Sequence, residues 1–154
     1  MNTSKTLLCA LAVAVLWTIP TVPIRAATPA QEQAFLASYK KAFEGSDEKT
    51  LQSFLYTKDA DPTVVEFYKA MQSSGMGGKV TRIELVALTP DQEKEAGQLQ
   101  GTPTGKARLP LPPTRKLVLE VADVSPEGSS KSTSECFVAE VDGKLVILVP
   151  TPVK

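Results

Sequence analysis

The chain contains no histidine. That removes the side chain that titrates near neutral pH, which is also the usual general base and the commonest transition-metal ligand. Cysteine is almost as scarce, with two residues, Cys9 and Cys136, and Trp17 is the single tryptophan. Charge of one sign is lacking too: 17 basic side chains balance 17 acidic ones. No basic field is therefore built for nucleic acid or an anionic membrane surface. There is no G-x-S-x-G, no phosphate loop and no dinucleotide fingerprint. Gly75-Met76-Gly77-Gly78-Lys79 follows a helical pattern and precedes a strand, whereas a phosphate cradle needs strand, then glycines, then helix. These absences lead us to expect no metal, no cofactor and no nucleic-acid partner.

The first 26 residues have the grammar of an export signal. Lys5 gives the positive start, Leu7 to Ile19 the apolar centre, and Ile24-Arg25-Ala26 a small-residue cleavage site. The apolar centre is too short to span a bilayer comfortably. Cys9 lies inside this run instead of closing it, which argues against lipid attachment. Cleavage after Ala26 predicts an exported chain, periplasmic or secreted, with no stable membrane span. Residues 27–154 then form a single domain. The cut removes Lys5, Arg25, Cys9 and Trp17. One remaining cysteine cannot form an internal disulfide, so Cys136 reads as a small apolar residue packed in a strand.

The strongest structural signal runs from Ser132 to Pro150, two apolar arms joined at Asp142-Gly143. Aspartate and glycine both tolerate positive φ, so the pair predicts a two-residue hairpin turn. That turn sets Val141 opposite Lys144, Ala139 opposite Val146 and Phe137 opposite Leu148. Cys136, Val138, Glu140, Leu145, Ile147 and Val149 fall on the other face. Both faces are largely apolar, so both need a cover. A second subunit and the segment Leu109-Pro110-Leu111-Pro112-Pro113 are the two candidates for the outer one. Pro150 and Pro152 end the pairing.

Upstream, Thr28-Pro29 with Gln31 predicts a capped helix running to about Glu44 and ended by Gly45, with Phe35, Tyr39, Ala42 and Phe43 inward and Gln31 and Glu44 wet. Asp47 caps a short second helix burying Leu51, Phe54 and Leu55. Asp61-Pro62 starts a third, whose inward stripe is Val64, Phe67, Tyr68 and Met71. No strand is read between the second and third helices. Lys79 to Thr89 and Arg115 to Val124 alternate as strands, and Ser125 to Ser130 is a turn. Between the strands, residues 90–114 read as a proline-rich loop with one helical turn at Asp91 to Ala96. The fold class is α+β, with N-terminal helices on one face of a curved antiparallel sheet.

That order of elements, with F-L-A-S-Y-K-K-A-F-E-G-S-D-E-K-T-L-Q-S-F-L near the start and D-G-K-L-V-I-L near the end, resembles the nuclear-transport-factor-2-like (NTF2-like) superfamily. It looks closest to small exported members of the SnoaL-like or DUF4878-like kind. The resemblance implies a cystatin/NTF2-like cone whose mouth, between helices and sheet, often serves as a ligand pocket. Phe35, Tyr39, Phe43, Phe54, Tyr68 and Met71 are the residues that would line or fill it. It also implies pairing of two copies through the outer sheet face.

No catalytic residue carries over from that family. Tyr39, Tyr68 and Glu120 are the only side chains that could act as an acid or phenol inside the cone. Asp47, Glu48, Asp59 and Asp61 are explained as helix-start charges. Lys106, Arg108, Arg115 and Lys116 form a solvated basic cluster without interleaved aromatics. Three readings follow: a non-enzymatic domain binding a small apolar ligand or a protein partner, an isomerase-type or cyclase-type enzyme using a tyrosine or carboxylate, and a structural accessory with a filled cone. The scaffold alone does not choose between them.

Overall fold

The computed structural model describes residues 27–125 and 128–153. The export signal read over residues 1–26 lies outside them, and so do residues 126–127; the turn read over Ser125 to Ser130 is shorter than expected, since Ser125 and Gly128 to Ser130 are in strands. Helices α1 (Pro29–Glu44), α2 (Glu48–Gln52) and α3 (Pro62–Ser73) precede strand β2 (Lys79–Val86), with a two-residue strand β1 (Leu55–Tyr56) between α2 and α3. The chain continues through α4 (Pro90–Ala96), β3 (Gln100–Thr102), β4 (Gly105–Arg108), β5 (Arg115–Ser125), β6 (Gly128–Val141), β7 (Lys144–Leu148) and β8 (Thr151–Pro152). It is a mixed α+β fold. The main sheet has the order β1-β7-β6-β5-β2, and β3-β4-β8 make a second, smaller one.

The hairpin forms with the register its turn dictates. Asp142 and Gly143 both have positive φ, at 50° and 76°. Val141 pairs with Lys144 and Ala139 with Val146. The face bearing Val138, Leu145, Ile147 and Val149 is buried in the core with α1.

α1 is held at both ends by polar contacts as well as by its apolar stripe. Thr28 and Gln31 complete the capping box, and the Gln31 amide also donates to the Gly143 carbonyl at 2.8 Å. At the other end, Glu44 accepts the Val80 N–H at 3.1 Å. Gln31 and Glu44, expected to face water only, thus tie the helix to a turn and to a strand. Phe35, Tyr39, Ala42 and Phe43 are all buried. Gly45 is the C-cap but keeps a φ of −85°, and it is Ser46, at 53°, that takes the left-handed turn. Gly78 is needed for packing, because a Cβ there would lie 2.7 Å from a methyl of Val121.

Three sequence expectations are corrected. A strand does lie between α2 and α3: β1 runs parallel to β7, and the Ile147 N–H donates to the Phe54 carbonyl at 2.7 Å. Two residues are too few to show an alternating pattern. Residues 90–114 are not one loop either. Thr89 and Gln92 make a second capping box that starts α4, and β3 and β4 pair across Pro103-Thr104. Proline at a first helical turn and in a hairpin bend does not disrupt either element.

The third correction concerns α3, whose buried side chains are Val64 and Gln72, with Tyr68 half-buried. Phe67 and Met71 stay largely exposed, at 48 % and 44 %. The inward line therefore follows i, i+4, i+8 from Val64. The expected stripe was rotated because it followed hydrophobicity alone.

The outer face of the hairpin is covered within one chain. Ala139 and Leu148 are buried. Leu148 shares a cavity wall with Leu109, Gln100 and Glu95, and Phe137 shares one with Gln92 and Glu95. The cover is thus α4 and the small sheet as well as the proline segment. Towards the β2 edge that face turns polar, with Arg82 bonded to Glu84 and to Glu120. Among the described residues, no helix is long and apolar enough to cross a membrane.

Candidate functional site

β6 is much longer than β7. Only Val138 to Val141 of β6 pair with β7, whereas β5 pairs with β6 from Gly128 to Val138. The chain turns away at Pro150 because a proline cannot extend the ladder. No strand therefore follows β6 on that side below Val138, among the described residues. α3 lies beside this gap, and between them is a cavity of about 150 Å³.

The floor of the cavity is apolar. Phe43, Leu119, Val121 and Ile147 are all buried there. Its sides are Tyr39, Tyr68, Met71 and Cys136, and its rim carries the hydroxyls of Ser74, Ser132, Thr133 and Ser134. Among the described residues, no charged side chain lines it. Thr133 belongs to the opposite side of the strand from Ser132 and Ser134, so its presence means that the cavity opens across the strand edge.

One polar group stands out. Gln72 is only 7 % exposed, and neither its amide nitrogen nor its oxygen has a hydrogen-bond partner among the described residues. It lies close enough to the Tyr39 hydroxyl to ease its ionisation slightly, yet the two do not meet in hydrogen-bond geometry. A buried amide with nothing to bond costs about 1–3 kcal/mol. Such a group inside a cavity is free to bond whatever enters it.

The ionisable groups around it are all held neutral. Burial pushes the Tyr68 phenol up to about 12 and the Cys136 thiol up to about 11. Burial likewise raises the Tyr39 phenol, with Cys136 acting in the same direction. At neutral pH these groups are hydrogen-bond donors, and none is a base.

Of the six pocket residues named from the sequence, four share this cavity: Tyr39, Phe43, Tyr68 and Met71. Phe35 and Phe54 do not reach it. They stack at the other end of α1, ring centroids 5.1 Å apart and edge to face, and flank a shallow cleft beside Gly143 and Lys144. Glu120 is outside altogether, on the polar outer face with Arg82 at 3.1 Å. Of the basic cluster, Arg115 bonds Glu32 at 3.0 Å and Lys116 bonds Glu135 at 2.7 Å, so two of its four members are structural ties.

The sequence reading missed Gln72 and the rim serines. Both had a signal. Gln72 continues the line from Val64 and Tyr68 by four residues, and Ser132 and Ser134 alternate on the core face of an arm that has no counterpart after Pro150. Among the described residues, no three acidic or thiol side chains converge as a metal site. No protein-family model, curated protein or solved structure matches the chain.

Proposed function

We propose that the protein is an exported, non-enzymatic binding domain that takes a small, neutral, mainly apolar ligand between α3 and β6. The observation that carries this reading is Gln72, buried and unsatisfied on the wall of a mainly apolar cavity with no charged lining among the described residues. An amide side chain offers a donating NH2 beside an accepting carbonyl, so its best partner is a group offering the reverse, such as a carboxamide. A cavity of about this size admits a single aromatic ring.

The enzyme reading is weaker. Among the described residues no carboxylate lines the cavity, and its phenols and thiol hold their protons far above neutral pH. The filled-scaffold reading is weaker because space remains where the sequence left fill and lining equally open. Kinship with the NTF2-like superfamily belongs to the same proposal, supported by α1 and the hairpin sharing one core. Export is supported by the grammar of residues 1–26.

Native mass spectrometry of protein purified from its own source would report a retained ligand directly. Benzamide and toluene serve as probes when nothing is retained. Both are expected to raise the melting temperature of the wild-type protein, and Gln72→Met is expected to lose the benzamide effect while keeping that of toluene. No shift with either probe, and no retained ligand, would overturn the proposal.

A further inference from the structure

The direction of each backbone group on β6 follows from the hairpin register. Val141 and Lys144 flank a two-residue turn and so exchange both hydrogen bonds. The residues of β6 that turn their N–H and C=O towards β7 are therefore the odd-numbered ones. The even-numbered ones turn towards β5, in agreement with the Thr114 N–H donating to the Val138 carbonyl at 2.8 Å. Below β7, the outward groups belong to Phe137, Glu135, Thr133, Lys131 and Ser129. Phe137 is flanked by Leu148, with which it shares a cavity wall. The free stretch thus runs from Ser129 to Glu135, with Thr133 inside it.

This edge is only partly protected: Lys131 and Glu135 place charges on it, Glu135 is tied to Lys116 at 2.7 Å, and Glu95, Gln100 and Leu109 wall its Glu135 end, but among the described residues no strand pairs with it. It carries no proline, and neither α4 nor the small sheet pairs with it. Its side chains are complementary to themselves. If two such edges are laid antiparallel and centred on Thr133, Thr133 meets Thr133, and each Lys131 meets the other chain's Glu135. Opposite charges and paired threonines across strands are both favourable. Moving the centre to Glu135 or to Lys131 would oppose like charges.

We infer that the protein forms a homodimer by joining the free edges of β6, antiparallel about Thr133, into one continuous sheet. The two-fold axis stands perpendicular to the sheet, so each chain keeps its helices on the same side. Met71, 44 % exposed on α3 beside this edge, gains cover from the second chain. The cavity, which opens across the same edge, is closed by it. This surface is distinct from the outer sheet face, where Ala139 and Leu148 are already buried within one chain.

Analytical ultracentrifugation of protein purified after expression of the full chain tests the inference. The wild type is expected to sediment as a concentration-dependent dimer. Lys131→Glu and Glu135→Lys should each be monomeric, because each opposes like charges twice. Mixed in equal amounts they should regain the dimer, since every pairing is then between opposite charges. Thr133→Pro should be monomeric with an unchanged circular dichroism spectrum, because its N–H takes no part in the ladder with β5. If that variant fails to fold, the charge variants still decide. A wild type that stays monomeric, or a mixture no more associated than its components, overturns the inference.

Discussion

Phe35 on α1 and Phe54 after α2 meet edge to face, their ring centroids 5.1 Å apart at an interplanar angle of 78°. Tyr39 completes the group, 5.4 Å from Phe54 and 6.0 Å from Phe35. These rings close one end of the layer between helix and sheet, so the cavity exists only at the other end. Tyr39 belongs to both, which makes the cluster a rigid support for one wall of the site.

A difference between two phenylalanines follows. Phe35 is 6 % exposed, whereas Phe67, equally apolar and on a helix stripe that the sequence marks as buried, is 48 % exposed. Phe35→Ala should cost about 3–5 kcal/mol, as deletion of a buried ring does. Phe67→Ala should cost less than about 1 kcal/mol. Urea unfolding measures both, and equal losses would mean that α3 is rotated from the position described.

How far the fold could be read before the structure depended on whether local chemistry was sufficient. The hairpin turn at Asp142-Gly143 and the caps at Thr28, Asp47 and Asp61 are local, and each sits where its residue type places it. The face of α3 is not local. Periodicity favours Phe67 and Met71 over Gln72, but what lies beneath a helix decides which face is buried, and beneath the flank of α3 the sheet ends. β1 escaped notice because its two residues owe their conformation to a pairing more than 90 positions away, with Ile147 and Leu148. The site was half legible for the same reason. Its aromatic members follow from a helical stripe, while its polar member and its open edge come from the unequal lengths of β6 and β7.

The alkaline limb of stability should report on the cavity. Cys136 has its thiol raised from 9.0 to about 11 by burial and by the nearby Glu135 carboxylate. In the unfolded chain it ionises first, so the unfolded state holds fewer protons than the folded one above 9.0 and stability falls with rising pH. The stabilising contribution is complete below 9.0 and is lost by about 11. Tyr68 behaves alike between 10.0 and about 12. Thermal melts should therefore begin to fall near pH 9 in the wild type and only near pH 10 in Cys136→Ala. An unchanged onset would place the thiol in water.

Gln72 gives the sharpest contrast between stability and binding. Its buried amide meets no partner, so folding removes two polar atoms from water without compensation. Methionine has nearly the same length and shape, is as good a helix former, and carries no such penalty. Gln72→Met should therefore raise stability by about 1–2 kcal/mol. In a domain of this size that is a few degrees in melting temperature. The same change removes the donor and acceptor with which the cavity would hold a carboxamide, so the more stable variant should be the poorer binder of benzamide. That opposition is what a site under functional demand produces, since a residue kept there only for packing would have no reason to be glutamine. If Gln72→Met proves less stable than the wild type, the amide has a partner in the free protein. The cavity would then lose its recognition group, and the binding proposal its main support.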